Sequence, residues 1–289
     1  MDLCNTRTIY GCMRDLGAYG ILSAANDLAI AGESSGKMEL RMAVPAGMDK
    51  SRANAVKNHT SWAVDALKEQ GFELEELSFS RQLMTPLLVP ALTITSCGTN
   101  RRLQTADAVL TARAGQEILQ VGWIGLEGML RVIGEKESEL RSRFTSAFIR
   151  QMKAYHTEIC GVDKVEAAKA EGVSVMRQVS EGGILATLWD LAKDTELGME
   201  LELKKMLIRQ ETIEVCEHFR LNPYQLTSAG CFLMLADKGE EVADALNNRG
   251  FAAAVIGQLT GSNDKIIKNG EDTRYIDRPA PDELMKIFL

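Results

Sequence analysis

Four short stretches of this 289-residue chain carry residue types that do chemistry at useful spacing. The first is Asn26-Asp27, set inside the small apolar run "ILSAANDLAIAG" (21–32). A carboxylate there has two readings. It is a solvent-facing helix residue, or it is a ligand for a hard cation, because Mg²⁺ on nucleotide phosphates typically takes one or two carboxylates. The second stretch is "VSEGG" (179–183), between a strand-like run and an amphipathic helix. Ser180 suits the N-cap, and the first N–H groups of a helix carry partial positive charge that favours an anion. The same corner is equally a structural cap, and Glu181 in the first turn would compete with a bound anion. The third is "GWIGLEGML" (122–130), where Gly122, Gly125 and Gly128 span a strand-to-helix junction. Small residues there permit close packing or a close backbone approach. The fourth, "AGESSGKM" (31–38), approximates a phosphate loop but has Ala31 and Met38 where the motif needs Gly and Ser or Thr. It also follows a helix rather than a strand, so it is set aside.

Other chemistry is thinly supplied. His59, His156 and His218 fall in predicted helices on charged or mixed faces and read as surface residues. Cysteines at 4, 12, 97, 160, 216 and 231 form no C-x-x-C pair, and Cys216 and His218 point apart on a predicted helix, which argues against zinc. The N-terminal segment has no signal-peptide pattern and no apolar run approaches the ~20 residues of a membrane span. A cytoplasmic protein with free thiols, no membrane partner and no resident metal other than Mg²⁺ is the expectation. The net charge of −7 and pI near 5.2 speak against a nucleic-acid partner.

The elements that must position these residues follow from periodicity. Residues 15–32 read as a helix ended by Gly32, 37–45 as a strand, 51–68 as a helix, and 72–80 and 90–98 as strands. A polar connection (101–115) then leads to a second series. This contains a strand from 117, helices over 126–144 and 146–160, the strand, turn and helix of 175–195 with Ile184, Leu185, Leu188, Leu191 and Ala192 on one face, and a strand near 200. A helix over 211–219 follows, then β-α-β over 231–260, a hairpin with Asn269-Gly270 in a type I′ turn, and a short terminal helix. Strands and helices interleave without a strict repeat, so the class is α+β, in two domains, 1–105 and 106–289.

Taken together, "DLGAYGILSAANDLAIAGE", "RMAVPAGMDK", "GWIGLEGML", "VSEGGILATLWDLAKDTELGMELEL", "IRQETIEVCEHFRLNPYQLTSAGCFLML" and "PAPDELMKIF" resemble the AIR synthase-related superfamily. That superfamily includes aminoimidazole ribonucleotide synthase, thiamine-monophosphate kinase, selenophosphate synthetase and the hydrogenase maturation protein that dehydrates a carbamoyl thioester. The resemblance implies two PurM-like α+β domains and a homodimer whose first domains build a shared barrel. It also implies Mg-ATP near that barrel, used for phosphoryl transfer to a small molecule. Carried over by position, Asp27 matches the metal-binding Asp that follows Asn26, and Gly182 and Gly183 match a Thr-x-Gly-Gly corner with Ser180 as the Thr. Asn26, Gly125, Gly128, Ser180, Gly182 and Gly183 are therefore the candidate nucleotide or phosphate contacts, and Asp27 the candidate Mg²⁺ ligand.

The departures from the family pattern point the other way. The family's opening glycine-rich segment with paired aspartates, and the strand with a further Asp, have no counterpart, as if the chain began at or after that strand. "SFSRQ" (78–82) has neither the glycines nor the acid expected there. Arg177-Gln178 stands for His-Asp, Gly125-Leu126-Glu127-Gly128 stands for Gly-Asp-His-Gly, and Ile287-Phe288-Leu289 stands where the maturation factor carries its C-terminal Cys. The resemblance thus implies a divergent or catalytically degenerate relative, a dimeric binding or regulatory protein. An active ATP- and Mg-dependent enzyme is the alternative, and thiocarbamate chemistry lacks its nucleophile.

Overall fold

A computed structural model describes residues 3–11, 13–82, 91–98 and 111–288. In chain order the elements begin with β1 (Leu3–Tyr10), α1 (Leu16–Ile30), β2 (Gly36–Pro45), α2 (Lys50–Asn58), α3 (Ser61–Glu69), β3 (Phe72–Gln82) and β4 (Ala91–Gly98). There follow β5 (Glu117–Val121), α4 (Leu126–Leu140), α5 (Ser146–Ala154), a 3₁₀ turn (Tyr155–Ile159), α6 (Val162–Ala170) and β6 (Val175–Gln178). Next come α7 (Gly183–Thr195), β7 (Gly198–Glu202), α8 (Gln210–Phe219), β8 (Phe232–Ala236), α9 (Gly239–Asn248) and β9 (Ala253–Thr260). The hairpin β10 (Lys265–Asn269) and β11 (Asp272–Tyr275) and the single turn α10 (Met285–Phe288) complete the described order. The mixed α+β architecture is as read from the sequence. The first part of the 101–115 connection lies outside the described residues.

Two compact units result: Met1–Leu103 with Glu127–Val162 and Leu284–Leu289, and Gln104–Leu126 with Asp163–Glu283. The first holds a four-stranded sheet in the order β1-β4-β2-β3. The β1/β4 and β4/β2 pairs are antiparallel and β2/β3 is parallel. Helix α1 lies on this sheet, and its small residues have a direct purpose. A side chain at Gly20 would come within 2.3 Å of the Ile94 Cδ1 and 2.7 Å of the Ile9 Cδ1, so glycine lets helix and strands close without displacing either isoleucine. Of the fifteen residues of α1, all but Asp27 and Ile30 are buried. Each fully buried Leu or Ile in such a layer contributes about 1.5–3 kcal/mol.

The second unit has a seven-stranded sheet in the order β11-β10-β7-β9-β5-β8-β6. β8 and β9 flank β5, both antiparallel to it, so the predicted β-α-β unit is split around a central strand. Ile184, Leu188, Leu191 and Ala192 of α7 enter the core with Leu185 packed against it, the face expected from their spacing.

Four local expectations are corrected. Residues Leu3–Tyr10, to which no element is assigned from the sequence, form β1, and α6 is a helix where none is read from the pattern. The hairpin register pairs Asn269 with Asp272, which makes Gly270-Glu271 the central residues. Gly270 has φ +68° and Glu271 is not left-handed, whereas a type I′ turn needs both central residues left-handed. Finally, Cys160, Cys216 and Cys231 are free thiols, but Cys97 on β4 is disulfide-bonded, a pairing that spacing along the chain does not reveal. No helix among the described residues is long and apolar enough to cross a membrane.

Candidate functional site

Asn26 and Asp27 are adjacent in sequence but serve different contacts. Asn26 is fully buried, and both ends of its amide are used. Its Nδ2 donates to the Ile159 carbonyl at 2.9 Å, and its Oδ1 accepts from the Gly161 N–H at 2.8 Å. It fastens α1 to the turn after the 3₁₀ segment, since a buried backbone group without a partner costs free energy.

Asp27 is neither an open solvent residue nor an open ligand. Arg7 on β1 grips both carboxylate oxygens, Nε to Oδ2 at 2.6 Å and Nη2 to Oδ1 at 2.8 Å. Both side chains are largely buried, at 18% and 16% exposure, so this is a bidentate pair little screened by water. Burial works against the Arg7 charge. The attraction and hydrogen bonds of Asp27, with a contribution from Glu127, outweigh it and hold the Arg7 pKa above its ordinary value. A second buried pair belongs to the same unit: Arg131 Nη1 to Glu127 Oε1 at 3.1 Å, one helical turn apart on α4, with exposures of 4% and 2%. Arg131 also donates to the Tyr10 carbonyl. Two acids thus meet two arginines, one pair part-buried and the other fully buried. No group of three His, Cys, Asp or Glu side chains that could hold a metal is found among the described residues. Both Asp27 oxygens, which the implied Mg²⁺ would share, are engaged by Arg7.

The second unit carries the glycine corner. Helix α7 starts at Gly183, so the cap position belongs to Gly182 rather than Ser180. Ser180 instead accepts the Gly183 N–H at its carbonyl, at 2.9 Å. The Gly182 N–H, one of the groups an anion would use, donates to Asp282 Oδ2 at 2.9 Å, and Asp282 is itself buried. Gly183 has no freedom to be anything else: φ is +69°, and a side chain would sit 2.5 Å from the Tyr224 carbonyl oxygen. The Gly125 N–H donates to Ser228 Oγ at 2.7 Å, again inside the same unit. Gly128 is buried within α4. Arg177 pairs with Asp194, and the buried Gln178 accepts the Gly230 N–H at 3.3 Å.

The structure therefore brings none of the sequence candidates into one open cluster within a unit. Each unit satisfies its own candidates with residues not singled out from the sequence, namely Arg7, Ser228 and Asp282. Only the Glu127/Arg131 spacing of four on a helix was a visible signal. His156 packs edge-on to Trp62 at 4.8 Å and is partly buried, not a simple surface residue.

The profile of the AIR synthase-related protein C-terminal domain matches residues 113–269, more than half of the chain. The chain belongs to the AIR synthase-related family. A protein of Methanocaldococcus jannaschii, provisionally named for hydrogenase expression and formation, is 20% identical over 284 residues, 94% of this chain and 79% of its own. The carbamoyl dehydratase HypE of Rhizobium leguminosarum bv. viciae is 26% identical over 163 residues, 54% of this chain and 44% of its own. Among solved structures, Escherichia coli HypE superposes with a TM-score of 0.73 at 16% identity, over 99% of this chain and 88% of that one. HypE in complex with ATP gives 0.65 at 16% identity, covering 98% and 87%. HypE from a HypE–HypF complex gives 0.69 at 15%, covering 96% and 90%. At such identities these structures establish a shared PurM-like fold.

Proposed function

We propose that the protein is a catalytically degenerate member of its family, a dimeric binding or regulatory protein that retains the two-domain scaffold (1–105 and 106–289) without the Mg-ATP chemistry. The observation that carries this reading is the bidentate grip of Arg7 on Asp27. A guanidinium that holds both oxygens of a carboxylate neutralises it and repels a cation brought to the same place. The occupied Gly182 N–H supports it from the second unit. Homodimerisation is supported by the four-stranded sheet of the first unit, whose outer strands among the described residues, β1 and β3, are edges for a second copy to cover. A protein partner is supported by the HypE–HypF complex, in which a relative of the same fold assembles with another protein.

The second reading is an active enzyme that uses ATP and Mg²⁺ on a small molecule or in metalloenzyme maturation, and the ATP complex of HypE favours it. One experiment separates the two: thermal shift of the purified protein with ATP, ADP and AMP, each with Mg²⁺ or EDTA. A ligand specific to the native state adds about 2.7 kcal/mol at a hundredfold excess over its Kd. The degenerate reading expects no Mg-dependent shift. A shift with Mg-ATP that is lost in Asp27→Ala, together with ATP turnover, overturns it. Sedimentation at micromolar protein checks the dimer, expected at twice the 31.7 kDa chain mass.

A further inference from the structure

The second unit contains a concavity of about 350 Å³ that the reading above does not use. Its floor is apolar, from Leu185 and Ala186 on α7 and from Ile267 and Ile276. Half-buried Tyr224 and exposed Tyr275 also line it. Tyr275 is 67% exposed, the one large hydrophobic side chain so exposed among the described residues. Two guanidinium groups, Arg274 and Arg278, line the same opening, and neither has an ion-pair partner among the described residues. Elsewhere in this chain of net charge −7, Arg113, Arg141, Arg177 and Arg249 are paired with carboxylates, so these two charges at one opening are available to a ligand.

From this combination we infer that the concavity is a binding site for a small aromatic acid, a flat one- or two-ring body carrying a single carboxylate or sulfonate. The volume lies at the lower end of ordinary ligand pockets, which fits a compact molecule. The tyrosines offer ring faces and edges for stacking, and the planar guanidinium forks match a carboxylate in pairs. One carboxylate at the rim, Asp277, sets against two arginines and leaves a net positive mouth. Gly182 also borders the pocket, but its N–H is committed to Asp282, so the anion is held by the arginines and not by the helix start. Mg-ATP plays no part in this site, which stands whether or not the protein binds a nucleotide.

The test uses the full chain and the fluorescent acid 8-anilinonaphthalene-1-sulfonate, with neutral N-phenyl-1-naphthylamine as its uncharged congener. The expected result is saturable one-to-one binding of the sulfonate and at least tenfold weaker binding of the amine. Naphthalene-1-carboxylate displaces the probe, and neutral naphthalene does not. The double variant Arg274→Glu/Arg278→Glu weakens the sulfonate at least tenfold, Tyr275→Ala weakens it severalfold, and Arg113→Glu leaves it unchanged. All three variants change exposed side chains, and an unchanged melting temperature checks that each is folded. Equal affinity for the two congeners, a double variant that binds like the parent, or no saturable binding overturns the inference. The congener and displacement arms need no variant and decide the matter even if one misfolds.

Discussion

Two places in this molecule were expected to meet a ligand, Asp27 in the first unit and the Gly182 corner in the second, and both are satisfied from within. They differ in how. Asp27 is answered by a side chain only twenty residues away, Arg7, in a charge-for-charge pair. The Gly182 N–H is answered by Asp282, one hundred residues later, and the group it serves belongs to the backbone. A side-chain seat can be emptied by changing one residue. A backbone seat persists as long as the turn does, and here the turn is locked by the close approach of Gly183 to the Tyr224 carbonyl. The first place is therefore the one that a single substitution changes most readily. The second keeps its shape through substitution of any one side chain around it.

The largest effect should come from the locked turn. Gly183→Ala forces a side chain into left-handed backbone and a carbonyl contact, and a loss of about 3 kcal/mol or more is expected in chemical denaturation. A loss below about 1 kcal/mol would mean that the corner is pliable and the contrast drawn here is wrong. Asp27→Ala comes next. It strands the Arg7 guanidinium in a mostly buried position, at a cost of about 2 kcal/mol, less than for a fully buried pair because some water remains. Arg7→Ala/Asp27→Ala should recover part of that loss, since no charge is then left alone. Additive costs in the double-mutant cycle would show the pair to be weak.

Asp282→Ala removes the cap on Gly182, worth about 1 kcal/mol. It also sharpens the comparison, because sulfate should then raise the melting temperature of the variant more than that of the parent. An equal response would mean that the corner has no anion seat to reopen. The smallest change is expected for Arg7→Lys, below about 1 kcal/mol, because the charge stays while the two-pronged geometry goes. If Mg-ATP stabilises Arg7→Lys but not the parent, the Arg7 fork is what keeps the cation out.

Much of the fold was legible. Small residues in α1, alternation in β2 and β3, and the apolar face of α7 are local patterns, and the physics that reads them is local as well. β1 was missed because "LCNTRTIY" carries threonine, asparagine and arginine, and its strand state comes from pairing with β4, some eighty-five residues further along. The hairpin was found and its turn misplaced by one residue, since Asn-Gly is a strong signal while register is fixed by the strands on either side. The candidate residues were legible as types but not as contacts. Asn26 and Asp27 look alike in sequence. One turns inward to backbone and the other to an arginine because successive helix residues are about 100° apart.

The sequence alone determined the α+β class, an acidic chain and the glycines that its turns require, because composition and short-range periodicity carry that information, and its motifs gave the family. Tertiary structure decided what those groups do. Whether a carboxylate binds a metal or an arginine depends on which distant segment lies beside it. The partners here lie twenty residues off for Asp27 and one hundred for Gly182. No local pattern encodes those distances. Burial then makes the choice matter, since a charge removed from water must find its counter-charge in whatever neighbour the fold supplies.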